Sequence, residues 1–308
     1  MNRALPLKKS ETMTDYLKKY SYYPDREKID GSLSAISSNI EDLMVPEVFK
    51  ACFSMMDLTS LKSNDTDASI KKLAGKVNSF QKAFPDYPLP ASVCVFSNFA
   101  SVLKAERQAD YHITCVSACF PTSQSFLEVK VKECEMAVQN GADEIDIVLA
   151  LNAFLAGDYD RASEEIRAVR SCIDKVAAEQ GRKVVLKVIL ETGLLVSLEN
   201  IANASFLAME AGADFIKTST GKVEVNATPF AAYVMCECIK AYYKATGKKI
   251  GFKPAGGMSS ASDAVSYYSI VSFILGPEWL NKELFRFGVS RMANNLLSAV
   301  EMKTVAHF

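Results

Sequence analysis

The segment Phe215–Lys222 brings together an apolar pair, a lysine, a run of hydroxyl residues and a closing Gly-Lys pair. A lysine inside an apolar, strand-like segment is costly to bury unless its amine is neutral or has a function. A glycine just beyond such a strand lets the backbone approach a ligand closely. We therefore predict that Lys217 is a nucleophilic amine and that the residues after it help to hold an anion.

An amine of this kind needs a changed protonation state before it can attack a carbonyl and form a Schiff base. A free lysine has a pKa of about 10.4, and a nucleophilic lysine needs roughly 7–8, a bias of about 4 kcal/mol against the charged form. Burial and a second ammonium group nearby both lower the pKa of a lysine. We assign Lys217 as the nucleophile, Lys253 as the neighbouring cation and Asp146 as the acid/base group that moves protons.

The rest of the chain predicts the elements that hold these residues. Residues 1–46 are polar and predict an N-terminal helical extension, followed by a barrel domain over residues 47–308. Eight strand-like runs then alternate with helical segments. The runs are Cys52–Leu58, Ser92–Phe96, His112–Phe120, Glu144–Leu149, Lys183–Leu190, Asp214–Thr218, Lys249–Lys253 and Leu284–Phe287. Eight such units without a Gly-x-Gly-x-x-Gly motif favour a parallel (β/α)₈ TIM barrel over a doubly wound open sheet.

Alternation along the strands orients the polar residues. If Lys217 points into the barrel, Ile216 points outward to the helices, and the same parity turns polar residues of other strands inward. These inward residues are Asp146, Lys187, Glu191 and Lys253. A single lysine at a strand end could instead extend to solvent. Polar faces on four separate strands favour one site at the C-terminal mouth of the barrel.

Glycines beyond the later strands predict a phosphate site. Gly221-Lys222, Gly256-Gly257 and Gly288-Val289-Ser290 each place freely turning backbone just past a predicted strand. In TIM barrels the loops after strands seven and eight frequently bind phosphate. The substrate expected from these loops and from the lysines is a small phosphorylated aldehyde or sugar.

Composition restricts the other classes of function. The chain of 308 residues has a net charge of −1, two histidines without a metal-site spacing, and eight scattered cysteines. We expect no metal, no cofactor and no nucleic acid as a partner. Reduced cysteines, a basic start without an apolar stretch, and no apolar run near about 20 residues predict a cytoplasmic protein without a membrane partner. A homodimer is the general expectation for the assembly.

Several of these segments resemble deoxyribose-phosphate aldolase, most closely its eukaryotic-type members. The motifs that carry the resemblance are Met56–Thr59, Gly141–Asp146, Phe215–Lys222, Val225–Thr228 and Gly251–Gly257. The resemblance implies a class I aldolase on a TIM barrel that cleaves 2-deoxy-D-ribose 5-phosphate to glyceraldehyde 3-phosphate and acetaldehyde. It implies that Lys217 forms the Schiff base, Lys253 tunes it and Asp146 carries protons.

Further residues are expected to contact the substrate. They are Asp57, Thr59, Cys94, Lys187, Thr218, Gly221, Lys222, Gly256, Gly257, Gly288 and Ser290. Five positions depart from the pattern of the family around the mouth: Ser97, Cys119, Ala150, Leu194 and Arg291. These departures keep two alternatives open. One is an aldolase for another aldehyde, and the other is a weakly active barrel that serves as a binding or scaffold protein.

Overall fold

Short parallel strands and the helices between them make up most of residues 15–308, the part of the chain that the computed structural model describes. The strands are β1 (Met56–Thr59), β2 (Ser92–Phe96), β3 (His112–Val116), β4 (Glu144–Val148), β5 (Val185–Ile189), β6 (Phe215–Lys217), β7 (Gly251–Lys253) and β8 (Phe287–Val289). They form one sheet in the order β7-β6-β5-β4-β3-β2-β1-β8, with parallel pairing throughout. The predicted TIM barrel is confirmed.

Helices cover the outside of this sheet. Within the described residues they are α1 (Tyr16–Lys19), α2 (Arg26–Ser37), α3 (Pro46–Ser54), α4 (Asp67–Ala83), α5 (Ala100–Glu106), α6 (Leu127–Gln139), α7 (Leu151–Leu155), α8 (Tyr159–Glu179), α9 (Thr192–Leu195), α10 (Leu198–Glu210), α11 (Pro229–Thr246), α12 (Ala261–Leu275) and α13 (Met292–Glu301). None of them is both long and apolar enough to cross a membrane.

Closure of the barrel between β7 and β8 depends on isolated bridges, which pair Phe252 with Phe285 and Ala255 with Gly288. The amide of Arg286 donates to the carbonyl of Phe252 at 3.0 Å, which supports the first bridge. The seam between β7 and β8 is therefore formed by fewer regular hydrogen bonds than the seven other pairings.

The helices form where local sequence supports them. In α8, Asp158 accepts a hydrogen bond from the amide of Arg161 and caps the first turn. The buried residues of α8 recur every three or four positions, which places one apolar face against the sheet. They include Ala162, Ile166, Val169, Ile173 and Val176. Exposed charged residues occupy the other face.

The strand register places the polar residues at matching heights. Asp146 pairs with Lys187 across β4 and β5, and Lys217 pairs with Lys253 across β6 and β7. Their apolar neighbours Ile216 and Phe252 belong to the main hydrophobic core between strands and helices. Alternation thus directs the charged side chains to the barrel axis and the apolar ones to the helices, as the sequence pattern predicts.

Three predicted strand boundaries are wrong. Cys52–Ser54 ends helix α3 instead of starting β1, because a short buried apolar run is compatible with either element. Strand β3 ends at Val116, since Ala118 and Cys119 have positive φ angles that turn the chain. Strand β8 lies at Phe287–Val289, and the residues before it join β7 only through a single bridge.

The N-terminal segment contributes two helices that pack on the barrel. The ring of Tyr20 stacks on Phe206 with centroids 4.4 Å apart, and its hydroxyl donates to Glu210 at 2.9 Å. Tyr233 of α11 donates to Ser32 of α2 at 3.1 Å. The first 14 residues of the predicted extension lie outside the described residues, and its boundary at residue 46 stays a prediction.

Candidate active site

A cluster of seven charged side chains fills the axis of the barrel, and each residue is at most 3% exposed. The cluster consists of Asp57, Glu144, Asp146, Lys187, Lys217, Lys253 and Arg286. These residues come from β1, β4, β5, β6, β7 and the segment before β8. Buried charges are tolerated only when they are paired and hydrogen-bonded, and each member of this cluster has at least one partner of opposite charge.

Asp146 lies at the centre of the cluster. Its Oδ2 accepts hydrogen bonds from Lys217 Nζ at 2.9 Å and from Lys253 Nζ at 2.8 Å. Its Oδ1 accepts a third from Lys187 Nζ at 3.0 Å. Lys253 also donates to Asp57. Because Lys217 and Lys253 share one carboxylate oxygen, their amines lie close together, and two ammonium groups there repel each other.

This arrangement separates the pKa values of the lysines. Burial lowers the pKa of Lys217 from its ordinary value, and the Lys253 ammonium lowers it further against the opposing charge of Asp146. Burial acts on Lys253 in the same direction, but Asp146 and Asp57 outweigh it and raise the pKa of Lys253. The pKa of Lys187 is raised as well. Lys217 is therefore the lysine of the cluster that loses its proton most easily.

The protonation of Asp146 follows from the same neighbours. Burial alone would raise the pKa of Asp146, but the ammonium groups of Lys187, Lys217 and Lys253 lower it well below its usual range. Asp146 is thus a carboxylate in the resting protein, able to accept a proton. The cluster holds four cationic residues and three carboxylates, so it is electrically balanced when one lysine is neutral. This balance favours the neutral amine at Lys217.

Two members of the cluster, Glu144 and Arg286, were missed in the sequence. Arg286 donates to Asp57 Oδ1 at 2.6 Å and to Glu144 Oε1 at 2.8 Å. Glu144 also bonds to His112 Nδ1 at 2.7 Å. Glu144 has the same strand parity as Asp146, which is a signal that alternation supplies. Arg286 has the parity of Gly288, but only once β8 is placed at its observed position.

Replacement of Arg286 by leucine is expected to destabilise the fold by about 3 kcal/mol or more, since it removes one partner each from two buried carboxylates. The measurement is the free energy of unfolding from urea denaturation. Arg161→Leu is the matched control: the side chain of Arg161 is 55% exposed and its Nε lies 3.6 Å from Glu165 Oε1, so a change below about 1 kcal/mol is expected. Equal losses in the two variants would contradict the prediction.

Above the cluster, the ends of β1, β6, β7 and β8 surround a cavity of about 370 Å³, the mouth cavity. Lys217 reaches it from the cluster below. The predicted site residues that line it are Thr59, Lys217, Gly221, Lys222, Gly256, Gly257, Gly288 and Ser290, and Arg291 lines it as well. The other predicted residues do not line it. Asp57, Asp146, Lys187 and Lys253 lie within the buried cluster instead.

Thr218 was predicted to contact substrate, but its hydroxyl is turned away from the mouth cavity. It accepts a hydrogen bond from the amide of Ala255 at 3.0 Å and is fully buried. Thr218 thus joins the end of β6 to the end of β7. This contact fixes the relative position of the two glycine loops that follow these strands.

Glu191, which follows β5, holds the loop after β6 in place. Glu191 accepts hydrogen bonds from the amide of Thr220 at 3.1 Å and from its hydroxyl at 2.5 Å. The hydroxyl of Thr220 in turn accepts from the amide of Lys222 at 3.0 Å. Lys222 Nζ donates to the carbonyl of Leu61 at 2.6 Å, which places its charge at the edge of the mouth cavity. Glu191, predicted to face inward, therefore orients this loop.

Glycine is required at the loop after β7. Gly256 and Gly257 both have φ of +77°, and a Cβ on Gly256 would lie 2.5 Å from Asn226 Oδ1. In residues 15–308, the amides of Gly221, Gly256 and Gly257 donate to no protein acceptor. All three glycines line the mouth cavity, and backbone amides without a protein acceptor can bind an anion there.

Cys94 lies on the inner face of β2, in a small apolar cluster. Its neighbours there are Leu61, Val116, Phe96 and Phe120. Burial raises the pKa of the Cys94 thiol, so this cysteine is a neutral, apolar group. It forms part of an apolar wall inside the barrel, close to the lysines.

Four of the five departures from the family pattern lie away from the mouth cavity. Ser97 donates to Glu133 Oε1 at 2.7 Å, and the amide of Cys119 donates to Glu133 Oε2 at 2.8 Å. One carboxylate thus fixes the loops after β2 and β3. Ala150 is buried and Leu194 is exposed on α9. Arg291 is the one of the five that lines the mouth cavity.

In the described part of the chain, no group of three or more His, Cys, Asp or Glu side chains is arranged as a metal site. The site consists of lysines, carboxylates and free amides at the C-terminal ends of parallel strands. Fold and site together define a barrel enzyme of the TIM type, whose chemistry takes place at this end of the barrel.

Comparison with known proteins identifies the family. Residues 52–267 match the model of the DeoC/LacD family aldolases. The chain is 40% identical over 263 residues to the deoxyribose-phosphate aldolase of Homo sapiens, covering 82% of this chain and 79% of the human protein. It is 38% identical over 263 residues to that of Bos taurus, with the same coverage. The chain belongs to the DeoC/LacD family of aldolases, and the predicted enzyme class, a lyase, is confirmed.

A solved structure supports the fold independently. The deoxyribose phosphate aldolase of Aeropyrum pernix, described as a tetramer, superposes with a TM-score of 0.64 at 20% sequence identity. The comparison covers 89% of this chain and 98% of that protein. The assembly of the present chain stays a prediction.

Proposed function

We propose that this protein cleaves 2-deoxy-D-ribose 5-phosphate to glyceraldehyde 3-phosphate and acetaldehyde through a Schiff base on Lys217. One observation carries the proposal. Lys217 is the lysine with the lowered pKa, and it reaches from the charged cluster into a cavity lined by free glycine amides. The names of the human and bovine relatives supply the substrate.

Imine formation begins at the neutral amine. Lys217 Nζ attacks the aldehyde carbon of the open-chain sugar, and the oxygen leaves as water after it has been protonated. Asp146, which is hydrogen-bonded to Lys217, accepts the proton that the amine loses. Lys253 stays charged on the same carboxylate oxygen and keeps the proton affinity of Lys217 low. The product of this step is a cationic imine that draws electrons from the neighbouring carbon.

Cleavage then breaks the bond between carbons 2 and 3 of the sugar. The hydroxyl on carbon 3 loses its proton and becomes the aldehyde of glyceraldehyde 3-phosphate, while the bonding electrons move toward the imine and leave an enamine. Protonation of the enamine carbon restores the imine, and water releases acetaldehyde and Lys217. We assign these proton transfers to Asp146, through water, because its carboxylate is the acceptor closest to Lys217.

We assign the phosphate of the substrate to the mouth cavity, which Lys217 also lines. Gly221, Gly256 and Gly257 present free amides to the mouth cavity, and Lys222 adds a positive charge at its edge. Leu61, which packs in the apolar cluster with Cys94 and Val116, lines the mouth cavity and offers a contact for the two-carbon end of the sugar. A phosphate held at one side and an apolar surface at the other would orient the substrate over Lys217.

The direct test is turnover of 2-deoxyribose 5-phosphate, with both products measured. A panel of other phosphorylated and unphosphorylated aldehydes separates this function from the alternative of another aldolase substrate. Rapid cleavage of a different sugar phosphate, with none of deoxyribose 5-phosphate, would refute the proposed substrate. Absence of turnover with every member of the panel would favour the binding or scaffold alternative.

Substitution of Gly256 by alanine should raise the KM for the phosphorylated substrate about tenfold or more, because the added Cβ strains the backbone and displaces Asn226. Borohydride trapping of acetaldehyde, which has no phosphate, should be unchanged. Gly157→Ala is the matched control, since Gly157 has a φ of +79° with nothing within 4 Å of an added Cβ. A similar rise in KM in the control would contradict a local effect on phosphate binding.

A further inference from the structure

A second cavity, of about 500 Å³, lies beside the mouth cavity and is called the side cavity here. It is bounded by the loop after β1, by helix α4 and by the start of α13. Five residues line both cavities: Thr59, Ser60, Lys62, Ser290 and Arg291. The two cavities are therefore neighbours that share these residues as a common wall.

Positive charge dominates the side cavity. Its lining contains the cationic side chains of Lys62, Lys72, Lys76 and Arg291. Among the described residues, none of these four cations has a carboxylate within salt-bridge distance. Lys72 and Lys76 are four residues apart on α4, a spacing that brings like charges together and destabilises a helix. Four unpaired cations around one cavity produce a field that attracts an anion.

The one acidic side chain of the side cavity is committed to its own loop. Asp65 Oδ2 accepts hydrogen bonds from the hydroxyl of Ser60 at 2.8 Å and from the amide of Lys62 at 2.9 Å. Its Oδ1 accepts one from the hydroxyl of Ser69 at 3.2 Å. These bonds, which include one from the backbone of Lys62 but none from a lysine ammonium group of the described residues, explain the position of Asp65. The charge of the side cavity is therefore available to a ligand.

We propose that the side cavity is a second anion subsite, which binds the outer phosphoryl group of a small diphosphate whose inner phosphoryl group occupies the mouth cavity. The position of the inner group rests on the proposed function. Arg291 lines both cavities and can donate to two phosphate oxygens at once, as a planar guanidinium does. The ligand class is therefore a sugar diphosphate or inorganic pyrophosphate, which share this chemistry.

The test is calorimetric titration of the full chain with inorganic pyrophosphate and, separately, with inorganic phosphate. Pyrophosphate should bind about tenfold more tightly, since it gains several charge-assisted contacts that are partly screened by solvent. The double variant Lys72→Glu/Lys76→Glu should lose that preference and bind the two anions alike. Lys82→Glu, an exposed charge reversal on the same helix away from both cavities, should retain it.

Inhibition kinetics test whether the bound pyrophosphate occupies the mouth cavity. Competitive inhibition of sugar phosphate cleavage is expected in the wild type, with a tenfold weaker effect in the double variant. Equal affinities for phosphate and pyrophosphate in the wild type would overturn the proposal. A preference for pyrophosphate that survives in the double variant would also overturn it, as would inhibition that is not competitive. Acetaldehyde trapping on Lys217 is independent of both anions. Its failure would refute the proposed function, whereas the binding preference reports on the side cavity alone.

Discussion

Replacement of Lys217 by alanine should abolish aldol cleavage, with kcat/KM lower by about 10⁴-fold or more. The amine that would form the covalent intermediate is absent, and the two other lysines of the charged cluster, Lys187 and Lys253, have raised pKa values. Cleavage of deoxyribose 5-phosphate measures the loss. Acetaldehyde with borohydride should label the wild type by one adduct, on the peptide that contains Lys217, and should leave the variant unlabelled.

Two further variants separate the charge of Lys217 from its nucleophilicity. Lys217→Arg keeps a cation beside Asp146 but cannot be deprotonated, so it should be as inactive as the alanine variant. Lys240→Ala removes an exposed lysine of α11 and should leave both cleavage and labelling intact. An adduct that persists in the Lys217→Ala protein would show that another residue is the nucleophile.

Substitution of Lys253 by methionine should lower kcat by about 10²–10³-fold at neutral pH and move the rising limb of the pH–rate profile to higher pH. Lys253 lowers the pKa of Lys217 and also neutralises the charge of Asp146. Both lysines donate to the same oxygen of Asp146, Oδ2. Both losses raise the pKa of Lys217, so a smaller fraction of the amine is neutral at a given pH. The measurement is kcat between pH 6 and 10, a range of about four units around the pKa that a catalytic lysine requires.

Lys187→Met is the comparison for this effect, since Lys187 bonds to the other oxygen of Asp146. It removes a cation of the same cluster, but one that does not share an oxygen with Lys217, so its profile should shift less than that of Lys253→Met. Unfolding in urea shows whether both variants remain folded. A rising limb that stays in place in Lys253→Met would mean that Lys253 does not tune the nucleophile.

Much of the charged cluster could be predicted because strand alternation is a rigid rule. Once Lys217 is placed inside, the parity of β4 fixes Asp146, and that of β7 fixes Lys253. The same rule extends to Glu144, which stands two residues before Asp146. Arg286 could not be predicted from the sequence, because the direction of its side chain depends on where β8 begins. That boundary is set by pairing with β1 and not by local sequence.

The loops of the mouth were harder to predict for a different reason. Their conformation depends on contacts between residues that are distant in the chain, such as Glu191 with Thr220 and Lys222 with Leu61. Glycine pairs indicated that backbone turns follow the strands, but not which side chains hold those turns. Thr218 is an example: parity turns its side chain away from the axis, and its hydroxyl bonds to the backbone of Ala255, which lies far along the chain.

The incomplete seam between β7 and β8 has a consequence for how the protein should respond to its ligands. The strand ends on the two sides of this seam carry Gly256 and Gly288, and both line the mouth cavity. An anion that bonds to both sides would connect β7 to β8, the pair of neighbouring strands with the fewest regular hydrogen bonds. Amide hydrogens along β7 and β8 should then exchange more slowly when phosphate is bound, and the melting temperature should rise with phosphate concentration. A bound phosphate substrate would thus stabilise the contact between β7 and β8 that closes the barrel.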